Sequence, residues 1–86
     1  MTITVNIDKF YEQFCKEYDF LYEHDNVAGL TEAVSAFDDA LVNNQNFGRF
    51  VNEFNDYRSA KLGYRDMITS DREAGAFMFA LEALTA

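Results

Sequence analysis

The chain has no proline, no tryptophan, one cysteine, one histidine and four glycines in 86 residues. Without proline nothing forces a break in a backbone hydrogen-bond ladder, and few glycines leave little excess conformational freedom to freeze out. Both absences favour long helices. A single cysteine, Cys15, excludes an internal disulfide framework and fits a reducing compartment. Cys15 and His24 stand nine positions apart, too sparse a set to converge on a metal ion. Glu23-His24-Asp25 carries ligand types, but consecutive side chains diverge, so a solvated turn is expected there. No apolar run approaches the ~20 residues that span a bilayer. The stretch Met1-Thr2-Ile3-Thr4-Val5 lacks the basic-then-apolar order of a signal peptide. The expectation is a cytoplasmic domain that uses no metal and no cofactor.

Basic residues are also scarce. Seven Lys and Arg face fifteen Asp and Glu, a formal charge of −8. Phosphates would repel such a surface, so direct binding to nucleic acid or to anionic lipid is disfavoured. The expected partner is a basic protein surface, and nucleic-acid-binding proteins are the commonest bearers of those.

What the chain does have is hydrophobic mass: 49% hydrophobic residues and 16% aromatic, with nine Phe and five Tyr. Disordered chains are poor in aromatics, so a packed core is expected. This length suits one domain, residues 1–86, and not two.

Residues 2–7 alternate polar and apolar and are mostly β-branched, which predicts a short strand, an extended arm or the lead-in of the first helix. Asp8 is a candidate cap for a helix from Lys9 to Glu23, with Phe10, Tyr11, Phe14, Cys15, Tyr18, Leu21 and Tyr22 on one arc. Asp25 or Asn26 is the candidate cap for a second helix, Val27 to Val42, burying Leu30, Val34, Phe37 and Leu41. Small Ala33 and Ala40 beside them permit close helix approach. Asn43-Asn44-Gln45-Asn46 reads as a loop ending in a capping Asn46. A third helix follows, with Phe47, Phe50, Val51, Phe54 and Tyr57 inward. It either stops at Gly63 or bends there and continues; residues 64–69 are open to helix or strand. Ser70-Asp71-Arg72-Glu73 is a capping box opening a last helix to Leu84, with Phe77, Met78, Leu81 and Leu84 buried. The expected fold is mainly α, a bundle of three to four helices around an aromatic core.

Chemistry-bearing motifs are thin. Asn43–Asn46 lacks the alternating acids and terminal Glu of a calcium loop, and Asn46-Phe47-Gly48-Arg49 has one glycine and no phosphate-loop pattern. Cys15 lies on the apolar side of its helix, where an inert thiol is the default. Carboxylates abound, but without a cleft to tune them they read as a solvated face. An enzyme is not expected.

The remaining signal is where the charge sits. Residues 1–46 hold nine acids and two bases, and residues 47–86 hold six acids and five bases, so −7 and −1. Asp8 with Glu12, and Asp19 with Glu23, are i, i+4 pairs about 6 Å apart in rise, a like-charge placement that destabilises a helix slightly. The candidate partner-binding residues are therefore Asp8, Glu12, Asp19, Glu23, Asp25, Glu32, Asp38 and Asp39, with Phe20 and Tyr22 as aromatic anchors. Arg58, Lys61 and Arg65 would share a face if the third helix ran past Gly63. In size, acidity and lack of catalytic motif the chain resembles, by type, the inhibitors that phages and mobile elements direct at nucleic-acid machinery, anti-restriction and anti-CRISPR proteins among them. That resemblance implies masking or mimicry of nucleic acid, in the host cytoplasm. The other reading is a small interaction protein, homodimeric or regulatory, pairing through apolar helix faces.

Overall fold

A side chain opens the first helix. In the structure, a computed structural model that describes residues 5–24 and 26–85, Asn6 Oδ1 accepts from the backbone N–H groups of Asp8 and Lys9 at 2.9 and 3.2 Å. Helix α1 therefore spans Ile7–Glu23, with Asn6 and not Asp8 as its cap. Asp8 sits in the first turn, where its charge suits the helix N-terminus. Of the readings open to residues 2–7, the described part takes the helix lead-in and not a strand. Val5 and Asn6 precede the helix, Ile7 is inside it, and residues 2–4 lie outside what is described. Val5 and Ile7 still pack against the core, so the apolar alternation served a helix lead-in. His24 closes α1, its N–H reaching the Phe20 carbonyl at 3.1 Å.

Helix α2 spans Leu30–Asn43 and starts later than the expected Val27. Gly29 is the reason: its φ of +85° is left-handed backbone, which a right-handed helix cannot include and glycine adopts without strain. Asn26 is not the cap either; its own φ is +57°, and Asp25 lies outside the described residues. The polar run 43–46 shrinks to one residue. The Asn44 N–H donates to Ala40 O at 2.9 Å and so ends α2. Its Oδ1 accepts from the Phe47 N–H at 3.1 Å and so begins α3 (Gln45–Leu62). Asn46, the expected cap, is inside α3.

Of the two endings open to α3, the structure takes the stop. Gly63 has φ +81°, and its N–H bonds to Ser59 O at 2.9 Å, a left-handed helix end. Residues 64–69 are neither helix nor strand. Ser59 Oγ holds that connection, donating to Asp66 O at 3.0 Å and accepting from the Asp66 N–H at 2.9 Å. The capping box is present as read. Ser70 Oγ accepts from the Glu73 N–H at 3.1 Å, and the Glu73 carboxylate accepts from the Ser70 N–H at 3.2 Å. Helix α4 follows over Asp71–Thr85.

The four helices close into a ring of neighbours. Helix α4 packs on α1 and on α2, and α3 packs on the same two. The pairs α1/α2 and α3/α4 are thus diagonals of a four-helix bundle, bridged only by side chains through the centre. Phe77 of α4 is that centre. Its ring lies 4.8 Å from Phe10, 5.3 Å from Phe54, 5.5 Å from Phe37, 5.6 Å from Phe47 and 5.7 Å from Phe50, all edge-on. Edge-to-face pairs satisfy the ring quadrupole, which lets six phenylalanines share one small core. Leu41 and Leu84, both expected inside, are exposed. They lie in the last turns of α2 and α4.

Candidate partner-binding surface

The acids named from sequence reach solvent. Asp8, Glu12, Asp19 and Glu23 on α1, and Glu32, Asp38 and Asp39 on α2, are all exposed, while Asp25 lies outside the described residues. Among the described residues none of these seven takes part in an ion pair. Asp8 has a different partner, the Tyr57 hydroxyl of α3, which donates to it. That bond, followed by burial and the charges of Asp8 and Glu12, pushes the Tyr57 hydroxyl from 10.0 up to about 12. The negative field at the start of α1 is therefore felt across the helix pair.

These acids do not form one strip. Helices α1 and α2 are diagonal in the bundle, so their carboxylates stand on opposite corners with α4 or α3 between. The two aromatic anchors are exposed, Phe20 at 47% and Tyr22 at 67%, and each already has a neighbour. His24 stacks on Phe20 at 4.2 Å, and the Arg72 guanidinium lies 5.0 Å from the centre of the Tyr22 ring.

Of the cations of the second half, Arg58 turns inward, while Arg49, Lys61 and Arg65 are exposed. Arg58, half-buried, meets Glu73 at 2.6 Å and Asp66 at 3.3 Å and lies over the Phe14 ring at 5.1 Å. Glu73 is buried, which favours its neutral form. Hydrogen bonds from Arg58, Ser70 and the Thr69 N–H, with the Arg58 charge, outweigh that and hold the carboxyl below its ordinary 4.5. Arg65 pairs with Asp56 at 2.7 Å, and Lys61 lies 5.4 Å from the Tyr57 ring centre. Because α3 ends at Gly63, Arg65 is off the helix that carries Arg58 and Lys61, so the condition for a shared cationic face is not met, and Asp66 lies against Arg58 instead.

Cys15 is half-buried, and burial followed by the neighbouring Cys15 pushes the Tyr11 hydroxyl up. His24 lies nine residues farther along, roughly 13 Å of helical rise, out of reach of the thiol. No group of three or more metal-ligating side chains gathers among the described residues.

One concavity was not legible in the sequence. An open groove of about 710 Å³ runs between α2 and α4, with Gly29, Ala33 and Ala36 on one wall and Met78, Phe79 and Leu81 on the other. Glu32 and Glu82 are the ionisable residues that line it. Ala33 looked from sequence like a helix-contact residue. It does pack inward, but with Ala36 and Gly29 it also leaves the space that larger residues would fill. No known protein family, curated protein or solved structure matches this chain. Among the described residues no helix is long and apolar enough to cross a membrane.

Proposed function

We propose that this protein is a non-catalytic, acidic binding module that inhibits a basic DNA- or RNA-binding protein by occupying the side chains that would otherwise meet phosphate. It would act in the cytoplasm, in the manner of anti-restriction and anti-CRISPR proteins. One observation carries the reading. The acids of α1 and α2 are exposed and outside any ion pair among the described residues, whereas Arg58 is committed to Glu73 and Asp66, and Arg65 pairs with Asp56 at the surface. A surface kept only for solubility would serve as well with both signs mixed. Here the like-charge pairs on α1 carry a small helix cost that a role in binding explains.

The test is capture of partners from a host lysate on immobilised protein, at low and high salt, with duplex DNA as competitor. The expected outcome is a basic partner that salt elutes, that DNA displaces, and that is lost when Glu12, Asp19, Glu23, Glu32, Asp38 and Asp39 become Gln or Asn. Binding that survives high salt and those six changes would refute the reading. The second reading, pairing through apolar helix faces, including as a homodimer, draws on the exposure of Phe20, Tyr22, Val42 and Tyr64. Sedimentation equilibrium of the wild-type protein and of Val42→Ser and Tyr64→Ser variants decides it, a concentration-independent monomer excluding the dimer.

A further inference from the structure

We propose that the α2/α4 groove receives one amphipathic helix of a basic partner, apolar side chains inward and Lys or Arg outward to Glu32 and Glu82. This rests on the acidic-module reading and narrows it to one face of the bundle.

The argument begins with shape. Glu32, Ala33 and Ala36 line the groove from α2, with Gly29 just before its first turn, and Met78, Leu81, Glu82 and Thr85 line it from α4. Apart from the adjoining Ala28 and Phe79, the lining recurs at three- and four-residue intervals, so the groove follows about two helical turns of each wall, about 10 Å of rise. Its volume of about 710 Å³ lies within the ~300–1,000 Å³ of ligand pockets. It is partly open to solvent and bounded by two helices, so a segment can lie in it. A trough between two parallel ridges is what a third helix packs into, and glycine and alanine on one wall let a backbone come close. Helix-in-groove recognition works in this way, through apolar anchors on successive turns.

Charge then selects the occupant. The ionisable groups lining the groove are both acids, and Glu32 and Glu82 are both exposed. An acidic helix would be repelled. So would a second copy of this chain, which carries −8 itself. A helix with lysines or arginines flanking its apolar stripe meets both requirements at once: its anchors remove Met78, Phe79 and Ala36 from water while its charges face the rim.

The probe is a synthetic helical peptide with leucines at i, i+4 and i+7 and lysines elsewhere. A scrambled peptide of identical composition and a version with glutamine in place of lysine are the controls. Affinity is read by fluorescence anisotropy across salt concentrations. The patterned peptide is expected to bind about tenfold or more tighter than the scrambled one, the worth of one well-buried leucine. Ala36→Trp, at an exposed position of α2, should fill the groove and erase that difference while leaving the scrambled peptide unaffected. Glu32→Lys and Glu82→Lys, both at exposed positions, should weaken the patterned peptide without filling anything, a check that does not depend on Trp being tolerated.

Equal, salt-sensitive binding of patterned and scrambled peptides, unmoved by Ala36→Trp, would overturn the groove while leaving the acidic reading standing. No binding of either lysine peptide would overturn both. A glutamine peptide that binds as well as the lysine one would mean an uncharged occupant and overturn the proposal. So would a wild-type dimer that Ala36→Trp converts to monomer, since the occupant would then be a second copy.

Discussion

Replacing Gly75 with alanine should destabilise the protein, although alanine is the better helix former. Gly75 lies inside α4 and is buried. A Cβ at this position would sit 2.2 Å from Leu30 Cδ1 and 3.6 Å from Leu21 Cδ1. The second distance is ordinary contact; the first is not survivable without movement. Helix propensity alone would favour alanine by about 1 kcal/mol. Forcing a methyl group into filled space costs about 1–3 kcal/mol. The balance runs from zero to roughly 2 kcal/mol of destabilisation. Leu30 is half-buried at the first residue of α2, so its tip can partly swing aside, which places the expected value near 0.5–1 kcal/mol, the lower half of that span.

The cause can be isolated with a double-mutant cycle. In a Leu30→Ala background the obstructing methyl is gone, so Gly75→Ala should express its propensity gain and stabilise by about 1 kcal/mol. The coupling between the sites is therefore about 1.5–2 kcal/mol, well above the few tenths at which distant sites add. Urea unfolding followed by far-ultraviolet circular dichroism measures all four corners; a shift of 1 kcal/mol moves the melting temperature of a domain this size by roughly 4–8 °C. If Gly75→Ala stabilises by the same amount with Leu30 present and absent, the close approach of α2 to α4 at this point is wrong.

Two pH-dependent outcomes follow from the ionisable contacts. Glu73 has its carboxyl held below 4.5 by Arg58 and the capping box. A depressed carboxylate contributes stability that is fully present above its unfolded value and is lost as pH falls through the folded one. Glu73→Gln should thus lower the unfolding free energy at neutral pH, read from urea titration, by about 2–3 kcal/mol since Arg58 keeps Asp66 as a partner, and should make the acid limb shallower. Acid limbs that run parallel for wild type and variant would count against the assignment. Tyr57 has its hydroxyl raised to about 12 by Asp8, so its contribution is fully present below pH 10 and is lost as pH rises through 12. Tyrosinate absorbance should show a late-titrating component, and Asp8→Asn should move part of it to lower pH; an unchanged titration would remove the Tyr57–Asp8 contact from consideration.

Helix identity and core were largely legible because they depend on periodicity and local capping. Phe10, Phe14, Phe37, Phe47, Phe50, Phe54 and Phe77 fell on predicted inner faces, and all are buried. The Ser70–Glu73 box was readable because both partners lie within four residues. Helix starts were less legible: Asn6 and Gly29 displaced Asp8 and Asn26, since several neighbouring residues could cap and only the backbone decides among them. The Arg58–Glu73 contact spans fifteen residues, and pattern reading along the chain cannot see across that gap. The groove was hidden for the same reason, because its walls come from α2 and α4. Above all, the acids of α1 and α2 looked like one surface when summed along the chain. The ring order of the helices separates them.

That separation sets a limit on how any mimicry of nucleic acid can work. Duplex DNA carries one charge per about 1.7 Å of axis, so a length of 30 Å, the longest dimension of this protein, would carry roughly 18. The whole chain carries −8. A partner docking on one corner meets only part of that, Asp8, Glu12, Asp19 and Glu23 on α1 or Glu32, Asp38 and Asp39 on α2. Charge density alone therefore cannot displace DNA from a basic groove. The deficit has to come from contacts that nucleic acid does not make, and exposed Phe20 and Tyr22 or the α2/α4 groove are where such contacts are available. The salt dependence of partner binding should accordingly be shallower than that of the same partner for DNA. About four charge contacts would give a log–log slope no steeper than roughly −4, against about −10 for a protein that closes many phosphate contacts. A slope as steep as that of DNA would require acids that one corner of this bundle does not possess, and a flat one would leave the carboxylates of α1 and α2 without a part in binding.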